Sequence, residues 1–335
     1  MKKRGIGLGC AWYGTGYGNG FPDVSSAFVE IHDDGSATVL TGAVDVGQGS
    51  NSIYAQIVAE ELGLETQDIC VYSADTDATP DSGTTAATRQ TYNTGNAVLK
   101  AVRQAKVRLL DYAAHEFSCP TPEGIELKAG YIGVKGDPSR WMPLADMVFK
   151  ARLHGERLIS AESSTARSTP VDLESGQGAP YWPYAYGCQM AEVEVDTETG
   201  MVRVLKVVAV HDVGKALNPT QVEGQIAGGV AQGLGFALLE DLELQEGRIK
   251  NPAFSSYLIP TALDVPSIEA FFVEEAEETG PYGAKGLGEP AMLPTVAAVI
   301  NAIDDAVGVR ITSLPATPEK ILSAIRKEKE ELEEK

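Results

Sequence analysis

The segment 221–239 has a helical pattern, yet small residues occupy many of its positions. A glycine inside a helix costs roughly 1 kcal/mol of helix stability relative to alanine, so a helix of this composition is weak by itself. Other elements must therefore press closely against it, and this need constrains the fold more than any other segment does. The small residues are Gly224, Ala227, Gly228, Gly229, Ala231, Gly233 and Gly235.

Two hairpin signals lie among several helical patterns. Turn residues at 33–35 separate apolar segments at 27–31 and 38–41, and residues 196–200 separate segments at 190–195 and 201–210. We also predict a strand at 69–73 and less regular structure at 118–185. The predicted helices cover 53–62 with Gly63 as the stop, 95–116, 221–239, 292–307 and a last one from Thr317-Pro318. Hairpins mixed with helices predict an α+β fold with mixed sheets and packed helices.

The charge of the chain limits its partners. With 27 basic and 47 acidic residues the net charge is −20, which repels nucleic-acid phosphates and anionic membranes. Part of this excess lies at 327–335, where we expect a solvated helix end. No window approaches a membrane span, so we expect neither nucleic acid nor membrane as a partner.

The four cysteines are far apart in the sequence, at Cys10, Cys70, Cys119 and Cys188. This spacing excludes a cluster built from a local CxxC pair and argues against a disulfide scaffold. The N-terminus is too short and too glycine-rich for a signal peptide, and we interpret it as a mature terminus. A reducing cytoplasm fits these features best.

Two loops have the composition of ligand-binding segments. Residues 47–50 form a glycine turn where a helix begins, and free backbone N–H groups there would suit an anion. It is neither a Walker loop nor a Rossmann fingerprint, and a plain helix-capping turn is the alternative. Residues 84–90 pack many donors into a short loop that ends in Arg89-Gln90, which suits a phosphate or a pterin. A solvated loop bonded to itself is the alternative there.

One carboxylate stands in a glycine-rich frame near the C-terminal end. Glycines at 283, 286 and 288 let the backbone approach a ligand, and Pro290 narrows the conformational range of Glu289. Glu289 is therefore a candidate general base, with a surface loop in an acidic protein as the alternative. The four histidines, His32, His115, His154 and His211, have no metal-ligand spacing, so we expect no metal site made of protein side chains. No nucleophile elbow of the Gly-x-Ser-x-Gly type occurs.

Taken in order, four segments resemble the xanthine oxidase family of molybdenum hydroxylases, in the C-terminal half of its molybdopterin-binding region. They are residues 41–50, 85–90, 218–233 and 283–290, which reads Gly-Ala-Lys-Gly-Leu-Gly-Glu-Pro. The resemblance covers nearly the whole chain. It implies the second molybdopterin-binding domain, with two α+β subdomains at about 1–117 with 285–335 and about 118–284.

The resemblance also implies a cofactor and the residues around it. The cofactor is molybdopterin cytosine dinucleotide, whose molybdenum is held by the pterin dithiolene and carries a sulfido or selenido ligand. Glu289 matches the family's catalytic glutamate, a general base toward a hydroxyl group on molybdenum. Tyr13 is a candidate substrate contact, and packing is the alternative for it and for Trp12. The implied cofactor-binding residues are Gly47, Gln48, Gly49, Ser50, Thr85, Ala86, Ala87, Thr88, Arg89, Gln90 and Gly288.

The chain also departs from the family pattern, because it has no counterpart of the first half of the molybdenum region. We therefore expect a split subunit, completed by a large molybdopterin subunit, with iron–sulfur clusters and FAD on further subunits. Among family members this division resembles those that hydroxylate nicotinate to 6-hydroxynicotinate with NADP as the final acceptor. The alternatives are a purine, xanthine or aldehyde hydroxylase subunit, and a non-catalytic protein that assembles the cofactor.

Overall fold

The protein, represented by a computed structural model, is described for residues 1–18 and 21–333. Its strands are β1 Lys2–Gly14, β2 Val24–Ile31, β3 Ala37–Thr41, β4 Ile69–Ser73, β5 Ile125–Lys128, β6 Tyr131–Val134, β7 Trp141–Pro143, β8 Ile159–Thr165, β9 Tyr184–Asp196, β10 Val202–Asp212, β11 Leu244–Gln245, β12 Arg248–Ile249 and β13 Ser267–Val273. Its helices are α1 Ser50–Leu62, α2 Gly95–Glu116, α3 Leu144–Leu153, α4 Pro219–Leu238, α5 Leu293–Val307 and α6 Pro318–Glu333.

These elements form two compact units. Unit 1 comprises Met1–Tyr13, Tyr184–Glu275 and Leu287–Lys335, and unit 2 comprises Gly14–Pro183 and Ala276–Gly286. The expected bounds, 1–117 with 285–335 and 118–284, differ from this division. The difference arises because β8 pairs antiparallel with β2, from Val24 opposite Thr165 onward, which keeps much of the segment after residue 117 in unit 2.

Unit 2 is built on a sheet with the strand order β4-β3-β2-β8. β2 and β3 pair antiparallel as the hairpin signal predicts, and β4 adds in parallel to β3. Along β2 buried and partly exposed side chains alternate, and Ala27, Val29 and Ile31 are almost completely buried. Helices α1 and α2 pack beside this sheet, and α1 ends at Gly63 in the left-handed conformation, as predicted. The segment 118–185 is more regular than expected, since it contains β5 to β8 and α3.

Unit 1 is built on a sheet with the strand order β1-β9-β10-β13. The β9–β10 hairpin is longer than predicted, and β13 pairs with β10 in parallel. Helix α4 packs against α5, and α5 packs against β9, so the core lies between the sheet and these helices. Val193, Val207, Ile226 and Val299 have no exposed surface there.

The glycines of β1 explain how close α5 comes to the sheet. Gly5, Gly7 and Gly9 alternate with exposed residues, and they face the backbone of α5. A Cβ atom on Gly7 would lie 2.2 Å from the backbone N of Ala302 and 2.3 Å from the backbone O of Ala298. Real atoms do not approach so closely, so only glycine fits at this position.

Replacement of Gly7 by alanine is expected to lower the free energy of unfolding by roughly 3 kcal/mol, because β1 or α5 must move to admit the methyl group. Urea unfolding of the chain measures this change. The neighbouring Leu8 is 59% exposed, so Leu8→Ala serves as the control and should change stability by less than about 0.5 kcal/mol. Equal stability of Gly7→Ala and the parent would show that the close contact is not required.

One stretch, which includes helix α5, is apolar enough to bear on the expectation that no part of the chain could cross a membrane. By length and composition alone the stretch Glu289–Val307 could cross a membrane, so the expectation that no window approaches a membrane span is wrong on that criterion. Half of the stretch is buried inside the protein, and its buried side belongs to the core of unit 1. The predicted buried helix at 292–307 is confirmed as α5. The expected solvated helix end reaches residue 333, and its last two residues lie outside the described part of the chain.

Candidate functional site

The glycine turn at 47–50 forms at the start of α1, as predicted. Gly49 is the residue before the helix and is left-handed at φ 83°, and α1 begins at Ser50. Gly47 is also left-handed, at φ 108°, and a Cβ atom there would meet no other atom within 4 Å. Both positions therefore require glycine for conformation, and Gly47 leaves open space beside the turn.

Three backbone N–H groups around this turn are not free for an anion, because a side chain of the protein accepts from them. The Asp45 carboxylate accepts hydrogen bonds from the backbone N–H groups of Gly47 at 2.9 Å, Gly49 at 3.2 Å and Asn51 at 3.2 Å. Burial would raise the pKa of Asp45, but these N–H groups outweigh it and hold the pKa below the usual value. Asp45 therefore occupies the place that a phosphate would take at this helix end.

Gln48 uses its side chain to hold the same turn together. Its Oε1 accepts from the backbone N–H of Val46 at 2.7 Å, and its Nε2 donates to the Val44 carbonyl at 3.1 Å and to Ser50 Oγ at 3.0 Å. Ser50 is buried. The turn is thus fixed by its own side chains before any ligand is added, which leaves its backbone surface as the part that can contact one.

Thr85 joins the two candidate loops to each other. Its Oγ1 donates to the Val44 carbonyl at 2.8 Å and accepts from the Val44 backbone N–H at 3.0 Å. Gln90 Nε2 donates to Thr85 Oγ1 at 3.1 Å, and Gln90 Oε1 accepts from Thr94 Oγ1. The two loops lie about forty residues apart in the sequence, yet they form one hydrogen-bonded cluster in unit 2.

The middle of the second loop has an unusual backbone. Ala87 and Thr88 are both left-handed, at φ 52° and 59°, a conformation that residues with a Cβ atom adopt at a cost. The Ala87 carbonyl accepts from the Gly16 backbone N–H at 3.0 Å. A Cβ atom on Gly286 would lie 1.9 Å from the Thr88 carbonyl oxygen, so the glycine-rich segment lies directly against this loop. Strained backbone held on two sides is typical of a functional loop.

Arg89 braces the loop and cannot donate to a ligand. Its side chain has no exposed surface, and its Nε donates to Asp23 Oδ1 at 2.5 Å. Its Nη1 and Nη2 donate to the carbonyls of residues 82, 84 and 24 and to Ser25 Oγ, at 2.7–3.3 Å. The guanidinium also lies over the Tyr17 ring, 5.1 Å from its centroid. Every N–H group of Arg89 has a protein acceptor, so its expected contact with the cofactor is replaced by a structural role.

Residues 276–286 are tied to unit 2 before the chain reaches Glu289. Tyr282 Oη donates to Glu61 Oε1 at 2.9 Å, and Glu61 also forms ion pairs with Arg103 and Lys106. Burial would raise the pKa of Glu61, but the two cations and the Tyr282 hydroxyl lower it below its usual value. These contacts anchor the start of the glycine-rich segment.

Glu289 itself lies in unit 1, at the start of a short 3-10 turn. Glu289 is exposed, whereas the next two residues, Pro290 and Ala291, are buried. The turn closes through the Ala291 N–H to the Gly288 carbonyl at 3.1 Å and the Met292 N–H to the Glu289 carbonyl at 3.0 Å. An exposed acid on a buried, hydrogen-bonded turn is presented in a fixed position, which suits a general base.

A buried network of polar side chains binds the backbone of this turn. Gln189 Nε2 donates to the Ala291 carbonyl at 2.7 Å and lies 3.0 Å from His211 Nε2, and Thr295 Oγ1 donates to Gln189 Oε1 at 2.5 Å. Gln189, His211 and Thr295 are at most 1% exposed. The sequence carries no signal for this network, because the three residues come from β9, β10 and α5 and nothing in their spacing links them.

The glycines of α4 pack against the same turn. A Cβ atom on Gly229 would lie 2.6 Å from Ala291 Cβ, and one on Gly233 would lie 2.6 Å from Thr295 Cβ. The prediction that something must press against this helix is therefore confirmed. The small residues of α4 let the turn that carries Glu289 lie directly on the helix.

The burial of His211 predicts a stability change with pH. Burial lowers the pKa of His211 from 6.5 to about 4, so the neutral ring is the folded form. In the unfolded chain the ring binds a proton below pH 6.5, which stabilises that state and costs the folded protein stability as the pH falls from 6.5 to 4. At about 1.4 kcal/mol per pKa unit, the loss is about 3 kcal/mol.

Urea unfolding at pH 7 and pH 4 measures this loss, with His211→Gln as the comparison. Glutamine keeps an acceptor for Gln189 but does not titrate, so the variant should lose about 3 kcal/mol less than the parent between the two pH values. An identical pH dependence of the two proteins would show that His211 does not titrate in this way.

The structure also shows where Tyr13 and Gly288, the other two predicted site residues, lie. Tyr13 lies near the end of β1 and is half-buried, next to Trp12, which is 71% exposed and has its ring 5.3 Å from that of Tyr184. Gly288 directly precedes the 3-10 turn. Across residues 1–18 and 21–333, no three His, Cys, Asp or Glu side chains are grouped so that they could hold a metal ion.

Comparison with known proteins identifies the family. A sequence model described as "Molybdopterin cofactor-binding domain" matches residues 1–266. A putative xanthine dehydrogenase molybdenum-binding subunit XdhA of Escherichia coli K12 is 34% identical over 327 residues, which cover 95% of this chain and 42% of that protein. Subunit gamma of the 6-hydroxypseudooxynicotine dehydrogenase complex of Paenarthrobacter nicotinovorans is 34% identical over 330 residues, which cover 96% of this chain and 40% of that protein.

Solved structures agree with this result. Quinoline 2-oxidoreductase from Pseudomonas putida 86 superposes with a TM-score of 0.86 at 32% identity, over 97% of this chain and 42% of that one. The chain therefore belongs to the molybdopterin cofactor-binding domain family of the xanthine oxidase type of molybdenum hydroxylases, and the predicted fold is confirmed. It spans less than half the length of the relatives named here.

Proposed function

We propose that this chain is the molybdopterin-binding subunit of a multi-subunit hydroxylase that acts on an electron-poor N-heterocycle. The observation that carries the proposal is the exposed Glu289 carboxylate on a buried turn, in a chain of a molybdopterin-binding family. A relative named for quinoline supports a nitrogen-containing ring as the substrate class.

The two joined loops of unit 2 are the proposed contact with the cofactor. They fit a pterin through backbone groups and small side chains, because Gly47 leaves open space and residues 85–88 are small. Gln48, Gln90 and Arg89 fix the loops in place, since their polar atoms are bonded to the protein. Because Asp45 already holds the N–H groups at the start of α1, we place the phosphates of a dinucleotide form elsewhere.

The proposed reaction adds an oxygen atom from water to a ring carbon and releases two protons and two electrons. When bound, the molybdenum cofactor supplies the Lewis acid and accepts the electron pair. Glu289 accepts the proton released as oxygen is delivered to the ring carbon. The hydrogen bonds among Gln189, Thr295 and the Ala291 carbonyl hold the turn that carries Glu289 in place. The carboxylate is therefore positioned before the reaction begins, and no free energy is spent on ordering it.

Nicotinate, converted to 6-hydroxynicotinate in a cytoplasmic nicotinate-degrading dehydrogenase, is the substrate we propose within this class. The electrons then pass through iron–sulfur clusters and FAD on partner subunits to NADP, and a large molybdopterin subunit completes the site. The described cysteines are free thiols, which is compatible with a reducing compartment. Xanthine is the second candidate, because a relative at 34% identity is named for it.

Oxygen-isotope labelling of the product tests the proposal. The complex purified from its source is given nicotinate or xanthine in H₂¹⁸O, with an artificial electron acceptor and no molecular oxygen. We expect one ¹⁸O atom in 6-hydroxynicotinate and at least tenfold slower turnover of xanthine. Faster turnover of xanthine than of nicotinate would make xanthine the substrate in place of nicotinate. If a molybdenum-loaded complex turned over no heterocycle and no aldehyde, that result would contradict hydroxylase activity.

A further inference from the structure

The sheet of unit 1 has one apolar face that no described residue covers. Its other face carries the core helices, but the uncovered face presents large apolar side chains that are 49–71% exposed. We call it the outer sheet face. It is defined by Ile6, Leu8, Trp12, Tyr186, Phe271 and Val273.

Strand alternation places these residues together. β1 buries Gly5, Gly7 and Gly9 against α5, so Ile6 and Leu8 point to the opposite side. In the register of β10 and β13, Phe271 pairs with Val210 and Val273 pairs with Asp212. Side chains of paired residues lie on the same face of a sheet, so the face extends across all four strands.

The two ends of the face differ in charge. At one end the charges are paired, with Lys206 bonded to Glu269 and Lys2 bonded to Glu194, both at 2.7 Å. At the other end lies a cavity of about 660 Å³. Its lining includes Cys10, Trp12, Tyr186, Cys188, Asp212 and Glu275. Asp212 Oδ1 accepts a hydrogen bond from the Gly214 backbone N–H at 2.9 Å, and together with Glu275 it gives the cavity a negative charge. With its aromatic walls, the cavity therefore suits an apolar side chain next to a basic one.

An apolar outer face is uncommon for a sheet of this kind. A largely antiparallel sheet with one face on the core normally presents polar residues on the other. Contiguous exposed apolar surface bordered by charge marks an interaction site, and protein interfaces have this arrangement of an apolar centre and a polar rim. The face therefore belongs in contact with another protein surface.

We propose that the outer sheet face is the docking surface for the separate subunit that carries the rest of the molybdenum-binding region. This rests on the proposed function. The relatives contain the fold of this chain within single chains more than twice as long, so a large further part of each accompanies this fold. A second copy of this chain fits poorly, because each copy carries a net charge of −20 and would bring two carboxylates to each cavity. The partner surface is apolar, with a lysine or arginine opposite Asp212 and Glu275.

A matched pair of phenylalanine substitutions tests the surface. Phe271 on the outer sheet face is 53% exposed, and Phe149 on α3 is 52% exposed. In the tagged complex, Phe271→Glu should reduce recovery of the large molybdopterin subunit at least tenfold, while Phe149→Glu leaves it unchanged. Circular dichroism should show the same thermal transition for both variants. Unchanged recovery with Phe271→Glu would overturn the proposal.

Thiol labelling of the unmodified complex gives a second test that needs no variant. Cys10 and Cys188 lie on the face with their Sγ atoms 3.4 Å apart, and Cys70 on β4 of unit 2 is exposed and serves as the reference. After reduction, iodoacetamide should label Cys10 at least tenfold more slowly in the complex than in the isolated chain, relative to Cys70. Equal labelling, or protection in a dimer of this chain alone, would overturn the proposal. Either result leaves the role of Glu289 intact, since that role is tested separately by turnover.

Discussion

Replacement of Glu289 by glutamine is expected to lower turnover of the complex by about 10²–10⁴-fold, the usual contribution of a general base. Glutamine has nearly the same size but cannot accept the proton. Backbone hydrogen bonds of residues 288–292 close the turn, and Gln189 binds the Ala291 carbonyl. The turn and the bound cofactor should therefore remain, and the defect should appear in kcat with molybdenum and pterin content unchanged.

Glu278 provides the control for this substitution. It is exposed and lies in the same C-terminal segment, so Glu278→Gln makes the same change of charge outside the proposed site. We expect its turnover to match that of the parent. A Glu289→Gln complex with near-normal kcat would remove Glu289 as the base. Absence of turnover in a molybdenum-loaded parent complex would instead favour the alternative of a cofactor-assembly protein.

Replacement of Arg89 by leucine is expected to lower the free energy of unfolding by about 3–5 kcal/mol, because it leaves the Asp23 carboxylate in the interior without its cation. Within the described part of the chain, Asp23 then keeps only the hydrogen bonds from the Asn93 side chain and the Tyr17 backbone N–H. The Asp23 side chain is only 11% exposed. The loss is expected to release the loop at 84–90, so the complex should also lose cofactor. Urea unfolding and pterin fluorescence of the released cofactor measure the two effects.

Arg103 serves as the control for Arg89. Its side chain is 55% exposed, and Glu61 keeps Lys106 and the Tyr282 hydroxyl as partners when Arg103 is replaced. Arg103→Leu should therefore cost far less than Arg89→Leu. Similar losses for the two variants would contradict the assignment of Arg89 as the buried brace of the loop.

Local patterns predicted most of the elements. The turn at 33–35 fixes the β2–β3 hairpin because its residues favour the turn and the flanking segments alternate, and Gly63 ends α1 because it adopts a left-handed conformation. The last helix begins at Pro318, as the Thr-Pro-Glu signal predicts. These features depend on neighbours in the sequence, which is why they could be read without the structure.

Long-range pairing could not be read in the same way. β13 adds in parallel to β10 across more than fifty residues, and β8 returns to β2, so the boundaries of the units differ from the expected ones. Nothing in the local composition of these strands indicates the partner strand. The alternation of glycines at 5, 7 and 9 does carry a strand period, and it was the available signal for β1.

The sequence of the two candidate loops also predicts less than the structure shows. Their glycines and hydroxyls predicted either ligand contacts or turns bonded to themselves, and spacing cannot show where a side chain points. Asp45 turns back onto the N–H groups at the start of α1, and Arg89 turns into the interior toward Asp23. Of these two residues, Arg89 is the one that the sequence predicts to contact the cofactor. The role of the loops in binding the cofactor stays a prediction, and it now rests on their backbone.

Mass spectrometry of the intact native complex, combined with metal analysis, tests the central claim most directly. We expect to find this chain together with a second subunit that carries the rest of the molybdenum-binding region. We also expect one molybdenum and one pterin dinucleotide per copy of this chain, with iron and FAD on further subunits. Selenium in equal amount would identify the terminal ligand as selenido, and its absence as sulfido. A purified complex without molybdenum or pterin would contradict the account.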